Sequence, residues 1–178
     1  MGISGMVHIE ESGLDLTRVV ELYGDCIVNY CFGLLLNRED AQDAAQEVFL
    51  KASVKLVDFS NTAGVAAWLY RVAYTICIDV LRRRKLNRLF MLREQSKCQA
   101  EDSEDTYDFG LSPALQAALS ALNPKDRALV YSRAVEEMEY GQLEAIYGAK
   151  SAALRKRYER AIHKLATLLG ETEGERNG

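Results

Sequence analysis

Apolar residues return every three or four positions along almost the whole of this chain and nowhere alternate, a spacing that permits amphipathic helices and little else. The predicted fold is therefore all-α. A first helix, from about Asp15 to Leu36, repeats Leu16, Val19 or Val20, Tyr23, Ile27 and Tyr30. A second, from about Arg38 to Val57, aligns Ala41, Ala45, Val48, Phe49, Ala52 and Leu56, with alanines that allow a close neighbour. Residues 58–64, DFSNTAG, are turn formers and predict a loop. In the stretch that follows, AAWLYRVAYTICIDVLRRRK, a helical wheel buries Val65, Leu69, Val72, Ile76 and Val80 and turns the rest outward.

Residues 94–110, EQSKCQAEDSEDTYDFG, have too little aliphatic content to offset the entropy of ordering, and are read as a flexible linker. Beyond them Ser112–Pro113 and Asn123–Pro124 each supply a side-chain cap followed by a proline whose missing N–H does no harm at a helix start. A short helix from about Glu139 to Tyr147 ends at Gly148, and a longer basic one runs from about Ser151 to Leu169, the layout of a helix-turn-helix. At 178 residues the chain has room for two small helical domains, expected at 14–93 and 111–170.

The net charge of −4 conceals a segregation. Residues 1–61 carry four basic and ten acidic side chains, residues 62–93 seven basic against Asp79 alone. Residues 94–110 hold one against six and residues 111–169 nine against six. Two basic zones around an acidic connector suggest two contacts with one polyanion, although a basic helix face is by default simply solvated. The amino terminus lacks the basic start and apolar stretch of a signal peptide, no apolar run reaches the roughly 18 residues of a membrane span, and a cytoplasmic location is expected. Cys26, Cys31 and Cys77 lie in apolar segments and, with Cys98, form no C-x-x-C pair, so buried free thiols are expected over a redox or metal role. No cofactor or metal is expected.

Three groups of side chains carry candidate chemistry. Trp68, Arg71, Thr75 and Arg82 share a strip beside the buried face, with Tyr70 and Tyr74 farther round. An aromatic ring beside arginine suits base stacking on single-stranded DNA. The alternative is that Trp68 completes the core while the Arg82–Lys85 run favours the dipole at a helix C-terminus. Asp40, Asp43 and Glu47 form an acid stripe, read either as a solvated face or as a docking surface for a basic partner. With the two histidines, His8 and His163, far off in sequence, it does not suggest an active site. In the last helix Leu154, Tyr158, Ala161, Leu165 and Leu168 form the buried stripe, Lys156 and Arg160 project opposite, and Arg155 and Arg157 flank them. Such a basic half-helix either enters the major groove or is plain surface.

DAQDAAQEVFLKA, then FSNTAGVAAWLYRVAYTICIDVLRRRK, then LSALNPKDRALV and the terminal helix-turn-helix together resemble a bacterial extracytoplasmic-function (ECF) sigma factor over roughly residues 15–169. The resemblance implies an RNA polymerase promoter-specificity subunit that is not an enzyme, with region two in the first domain and region four in the second. It implies that Asp43, Gln46 and Glu47 contact the coiled coil of the polymerase beta-prime subunit. Ser60, Asn61, Thr62, Trp68, Arg71, Arg82, Arg83, Arg84 and Lys85 would engage the minus-ten element. Lys150, Ser151, Arg155, Lys156 and Arg160 would engage the minus-thirty-five element, with Arg157 on a phosphate. The partners implied are core polymerase, through its beta-prime coiled coil and beta flap, promoter DNA, and an anti-sigma factor. A sigma-like module that occupies an anti-sigma protein without binding promoters is the rival. Departures from the family pattern fall in the second domain: Glu139 stands at a usual capping serine, Gly141 at a usual glutamate, and Glu159 at a groove-facing position. Lys150 stands where a capping serine is common, with Ser151 one residue later, and leaves the register of the last helix open by one residue.

Overall fold

The computed structural model describes residues 15–55, 62–94 and 112–174, and within these the side chains of residues 62–63, 91–94 and 171–174 stand outside the description. Linker residues 95–110, loop residues 58–61 and Cys98 lie outside the described residues, whereas Thr62–Gly64, predicted as loop, open α3 and Glu94, expected in the linker, closes it. Seven α-helices are present and no strand occurs among the described residues: α1 (Leu16–Leu35), α2 (Arg38–Lys55), α3 (Thr62–Glu94), α4 (Pro113–Ser120), α5 (Pro124–Ala134), α6 (Tyr140–Tyr147) and α7 (Ser151–Gly174). The all-α reading holds.

Local chemistry accounts for the helix ends. The Asp15 carboxylate accepts from Arg18 N at 2.7 Å to start α1, and Asn37 Oδ1 accepts from Asp40 N at 2.9 Å to start α2. Ser112 and Asn123 cap α4 and α5 ahead of their prolines, as their sequence predicts. Gly148, at φ 64°, closes α6 in the left-handed region that favours glycine.

The first three helices bury Val19, Ile27, Tyr30, Leu34, Ala41, Ala45, Val48, Val65, Leu69 and Ile76 in one apolar cluster. Ala128, Leu129, Met138, Leu143, Ile146 and Leu154, from the second half of the chain, belong to the same cluster. A smaller one joins Ala118, Leu122, Val130, Ala161 and Leu165, and Tyr158 touches both. α3 contains a stretch, Gly64–Phe90, long and apolar enough by composition to cross a membrane, contrary to the sequence reading. Its Leu69, Tyr70, Ala73 and Cys77 are buried in the fold, which gives that apolarity a use as the central core helix.

The outward face predicted for α3 needs correction as well. Tyr70 is only 1% exposed, because α5 and α6 pack over that side, and its hydroxyl donates to Glu136 Oε2 at 2.9 Å. Val72 and Val80 are half-buried rather than fully enclosed. Cys31 and Cys77 are buried free thiols and Cys26 is half-buried. The hydrogen bond to Cys31 and then burial push the Cys77 thiol up, so it stays protonated.

The two halves meet through tyrosines and backbone carbonyls. Tyr147 Oη lies 3.0 Å from Tyr30 Oη and 2.7 Å from Ser132 Oγ, and donates to the Ala128 carbonyl at 3.0 Å. Burial pushes the Tyr147 hydroxyl up to about 12, so this network works with neutral hydroxyls. α1 has no basic residue in its last turn, and its terminal carbonyls are served from elsewhere. Arg127 of α5 donates to the Leu34 carbonyl, and Arg84 of α3 to the Leu35 carbonyl at 3.3 Å. Burial, followed by the nearby Arg84 charge, pulls Arg127 down to about 10, and it remains a cation at neutral pH.

Gly33 sets how closely the halves approach. A Cβ there would lie 2.2 Å from Cδ2 of Tyr131, on the facing α5. Gly33→Ala is expected to cost about 1–3 kcal/mol, the usual penalty of overpacking, and to lower Tm; a thermal melt matching the parent protein would show that this contact does not hold the halves together.

Candidate nucleic-acid and protein interfaces

On α2 the buried alanines face the core, so the opposite side necessarily carries the polar residues. Asp43, Gln46 and Glu47 are all exposed there, and Glu47 pairs only with Lys51 of the next turn. Asp40, grouped with them by sequence, is separate in function: it forms an ion pair with Arg84 that ties α2 to α3. The stripe also continues beyond what the sequence reading recognised. Leu50 and Val54, at helical spacing from Asp43 and Glu47, are 69% and 82% exposed. The available signal was their position on the side of the helix opposite Ala41, Ala45, Val48 and Ala52.

On α3, Trp68 is half-buried against the core edge while Arg71 and Thr75 are exposed beside it. Thr75 Oγ1 donates to the Arg71 carbonyl at 2.9 Å, so its hydroxyl is engaged within the helix. Thr62 opens α3; Ser60 and Asn61 lie outside the described residues. The four cations at 82–85 are not equivalent. Arg82 pairs with Asp79 at 3.3 Å on the surface, Arg83 and Lys85 are exposed, and Arg84 is held by Asp40 and the Leu35 carbonyl. Burial draws Arg84 below the usual arginine range. Sequence spacing alone could not separate Arg84 from its neighbours, because its partners come from other helices.

The helix-turn-helix is formed by α6 and α7. Gln142 Oε1 accepts from Glu139 N at 2.8 Å, so a glutamate at the cap position still begins the helix with one amide satisfied. The register of α7 is decided at Lys150, whose carbonyl accepts from Leu154 N at 3.0 Å and is therefore the cap residue, with Ser151 the first helical one. A side chain of α6 replaces the missing cap: the Glu144 carboxylate accepts from Ser151 N. That hydrogen bonding to Ser151 holds the Glu144 carboxyl below its ordinary range. Arg155, Lys156, Glu159 and Arg160 are exposed along the helix. Arg157 is engaged by Asp126 and, at 3.5 Å, by Asn123, an attachment of α7 to the start of α5. A phosphate at the Arg157 Nε would have to displace Asp126.

Among the described residues no three His, Cys, Asp or Glu side chains cluster as metal ligands. The buried carboxylate, Glu136, is raised by burial and lies between the two halves against Tyr70.

An exposed acid stripe on one helix, an aromatic and basic strip on the next and a basic helix-turn-helix are the surfaces this fold presents, and comparison with known proteins supplies the family. Residues 19–86 match the sigma-70 region 2 family. The chain is 30% identical to RNA polymerase sigma factor CarQ of Myxococcus xanthus over 133 residues, covering 75% of this chain and 76% of that protein. It is 30% identical to the ECF sigma factor SigE of Mycolicibacterium smegmatis over 162 residues, covering 89% of this chain and 63% of that protein. It is 37% identical to SigW of Bacillus subtilis over 67 residues, 38% of this chain and 36% of that one. Several of the curated relatives it matches are thus spanned over less than two thirds of their length. The fold is similar to that of the sigma factor RpoE solved in complex with the anti-sigma factor NepR from Bartonella quintana, with a TM-score of 0.69, 19% identity and coverage of 86% of this chain and 96% of that one. It is also similar to CnrH, solved in complex with the cytosolic domain of CnrY, with a TM-score of 0.63, 22% identity and 88% of each chain covered. This chain belongs to the RNA polymerase sigma factors, in their ECF class.

Proposed function

We propose that this chain directs core RNA polymerase to its promoters in the bacterial cytoplasm and assists their melting, acting by binding alone. In this reading residues 14–93 dock the polymerase and engage the minus-ten element, and residues 111–170 engage the minus-thirty-five element. The observation that carries it is the arrangement of α2 and α3: one packed unit offers Asp43, Gln46 and Glu47 on one helix and Trp68, Arg71 and Thr75 on the next. A protein partner and a DNA strand can therefore be held at once. Leu50 and Val54 extend the acid stripe with apolar area that a partner helix could cover. The driving force for melting is the preference of Trp68 and its basic neighbours for unstacked bases, so contacts made only with the open strand pull the equilibrium toward it.

Run-off transcription with purified core enzyme tests the reading: this chain should yield transcripts from a subset of a randomised promoter library, and a complete absence of product would reject it. A second reading is favoured by the joined halves. The fold matches two sigma factors solved in complexes with other proteins, one of them described as an anti-sigma factor, over nearly the whole of their chains. The closed arrangement would then be the form that an anti-sigma protein binds. If the chain were solely a decoy for such a protein, it would bind the partner and give no transcript.

A further inference from the structure

Tyr140, the first residue of α6, lies between two guanidinium groups. Arg133 Cζ is 5.2 Å from its ring centroid and Arg155 Cζ 5.1 Å. Both distances fall within the range of cation–π attraction. Arg133 is anchored independently, because its Nη1 donates to the Met138 carbonyl at 2.9 Å, in the connection just before α6. The ring itself is half-buried and packs on the main core. It is thus a packed platform that also carries Arg133, and Arg155 is the exposed member of the group.

The contrast with Arg157, two residues along α7, gives this arrangement meaning. Arg157 is tied down by its Nε to the Asp126 carboxylate and by its Nη2 to Asn123 Oδ1 at 3.5 Å. A guanidinium attracted to a ring face need spend no N–H donor on a carboxylate, which leaves the pair that a bidentate bridge to guanine O6 and N7 requires. The ring also confines a side chain that would otherwise lose considerable rotamer freedom on binding. From this geometry, and resting on the reading of α7 as the helix that enters the minus-thirty-five major groove, we infer that Tyr140 is a positioning residue that holds Arg155 ready for base contact, with Arg133 as its brace.

The test uses holoenzyme assembled from core polymerase and the full chain, and a promoter chosen by the parent protein from a randomised library. Base preference is then measured across both promoter elements. Arg155→Ala should flatten preference at one or two minus-thirty-five positions. Tyr140→Leu should flatten the same positions and weaken transcription that depends on them roughly two- to fivefold, the fold-change that corresponds to an exposed cation–π contact. Tyr140→Phe, which keeps the ring, should stay within about twofold of the parent. Three results would overturn the inference: Tyr140→Leu leaving the pattern unchanged while Arg155→Ala alters it, Tyr140→Phe failing as badly as Tyr140→Leu, or Tyr140→Leu lowering minus-ten and minus-thirty-five dependence equally. Should Arg155→Ala itself leave minus-thirty-five preference intact, the placement of α7 in the groove falls together with the role of Tyr140.

Discussion

Reversing Asp43 and Glu47 together to lysine is expected to weaken association with core RNA polymerase on the order of a hundredfold, since like-charge juxtaposition at an interface costs several kcal/mol. The same change should scarcely affect folding. Both side chains are exposed, and the pair that Glu47 makes with Lys51 is a surface one, worth about 0.3–0.5 kcal/mol. Asp40→Lys makes an informative contrast. It would confront Arg84 with a like charge between α2 and α3, so its effect should be on thermal stability first. Titration of labelled protein with core enzyme distinguishes the two. Undiminished affinity in the Asp43 and Glu47 double variant would remove the docking assignment, and adding salt should weaken the parent complex more than the variant one.

Trp68→Ala is expected to reduce open-complex formation by roughly tenfold or more, with polymerase binding little changed, because stacking of one base on an aromatic ring contributes about 1–3 kcal/mol. Trp68 is also half-buried at the core edge, so truncation alone could act through folding. Trp68→Tyr keeps an aromatic face and separates the two effects: it should retain most of the melting activity that alanine loses. Permanganate reactivity of thymines in the bubble reports the result directly. Equal reactivity with tryptophan and alanine would mean that Trp68 belongs to the core alone. The location of the strip supports a role in binding, since Arg71 and Thr75 flank the ring on the exposed side while Leu69 and Tyr70 turn inward.

Much of the fold was legible because it is written in short-range chemistry. Apolar spacing marked the helices. The Ser112–Pro113 and Asn123–Pro124 pairs marked two starts, and Gly148 marked one end. Each of these depends on residues within a turn or two of one another. The outward positions of Asp43 and Glu47 followed in the same way from alanines on the opposite side of α2, whereas Asp40, placed on the same stripe, is half-buried and paired with Arg84. What escaped notice depends on residues far apart in the chain. Tyr70 was assigned to the outer face because its burial comes from Glu136 and its neighbours, 66 positions away. Spacing groups Arg84 with three other cations, though Asp40 and the end of α1 single it out. The capping of α7 by Glu144 could not be inferred from the composition of α7 itself.

The sequence by itself determined the helical class, several helix ends and the segregation of charge, whereas α3 begins inside the predicted loop at Thr62 and runs on to Glu94. Only the tertiary structure decided which charges remain available for a partner and that the two halves share a core. A guanidinium's freedom is set by whichever carboxylate, carbonyl or ring the fold brings beside it. That is why Arg84 and Arg157 are held in ion pairs while Arg155 lies over the ring of Tyr140.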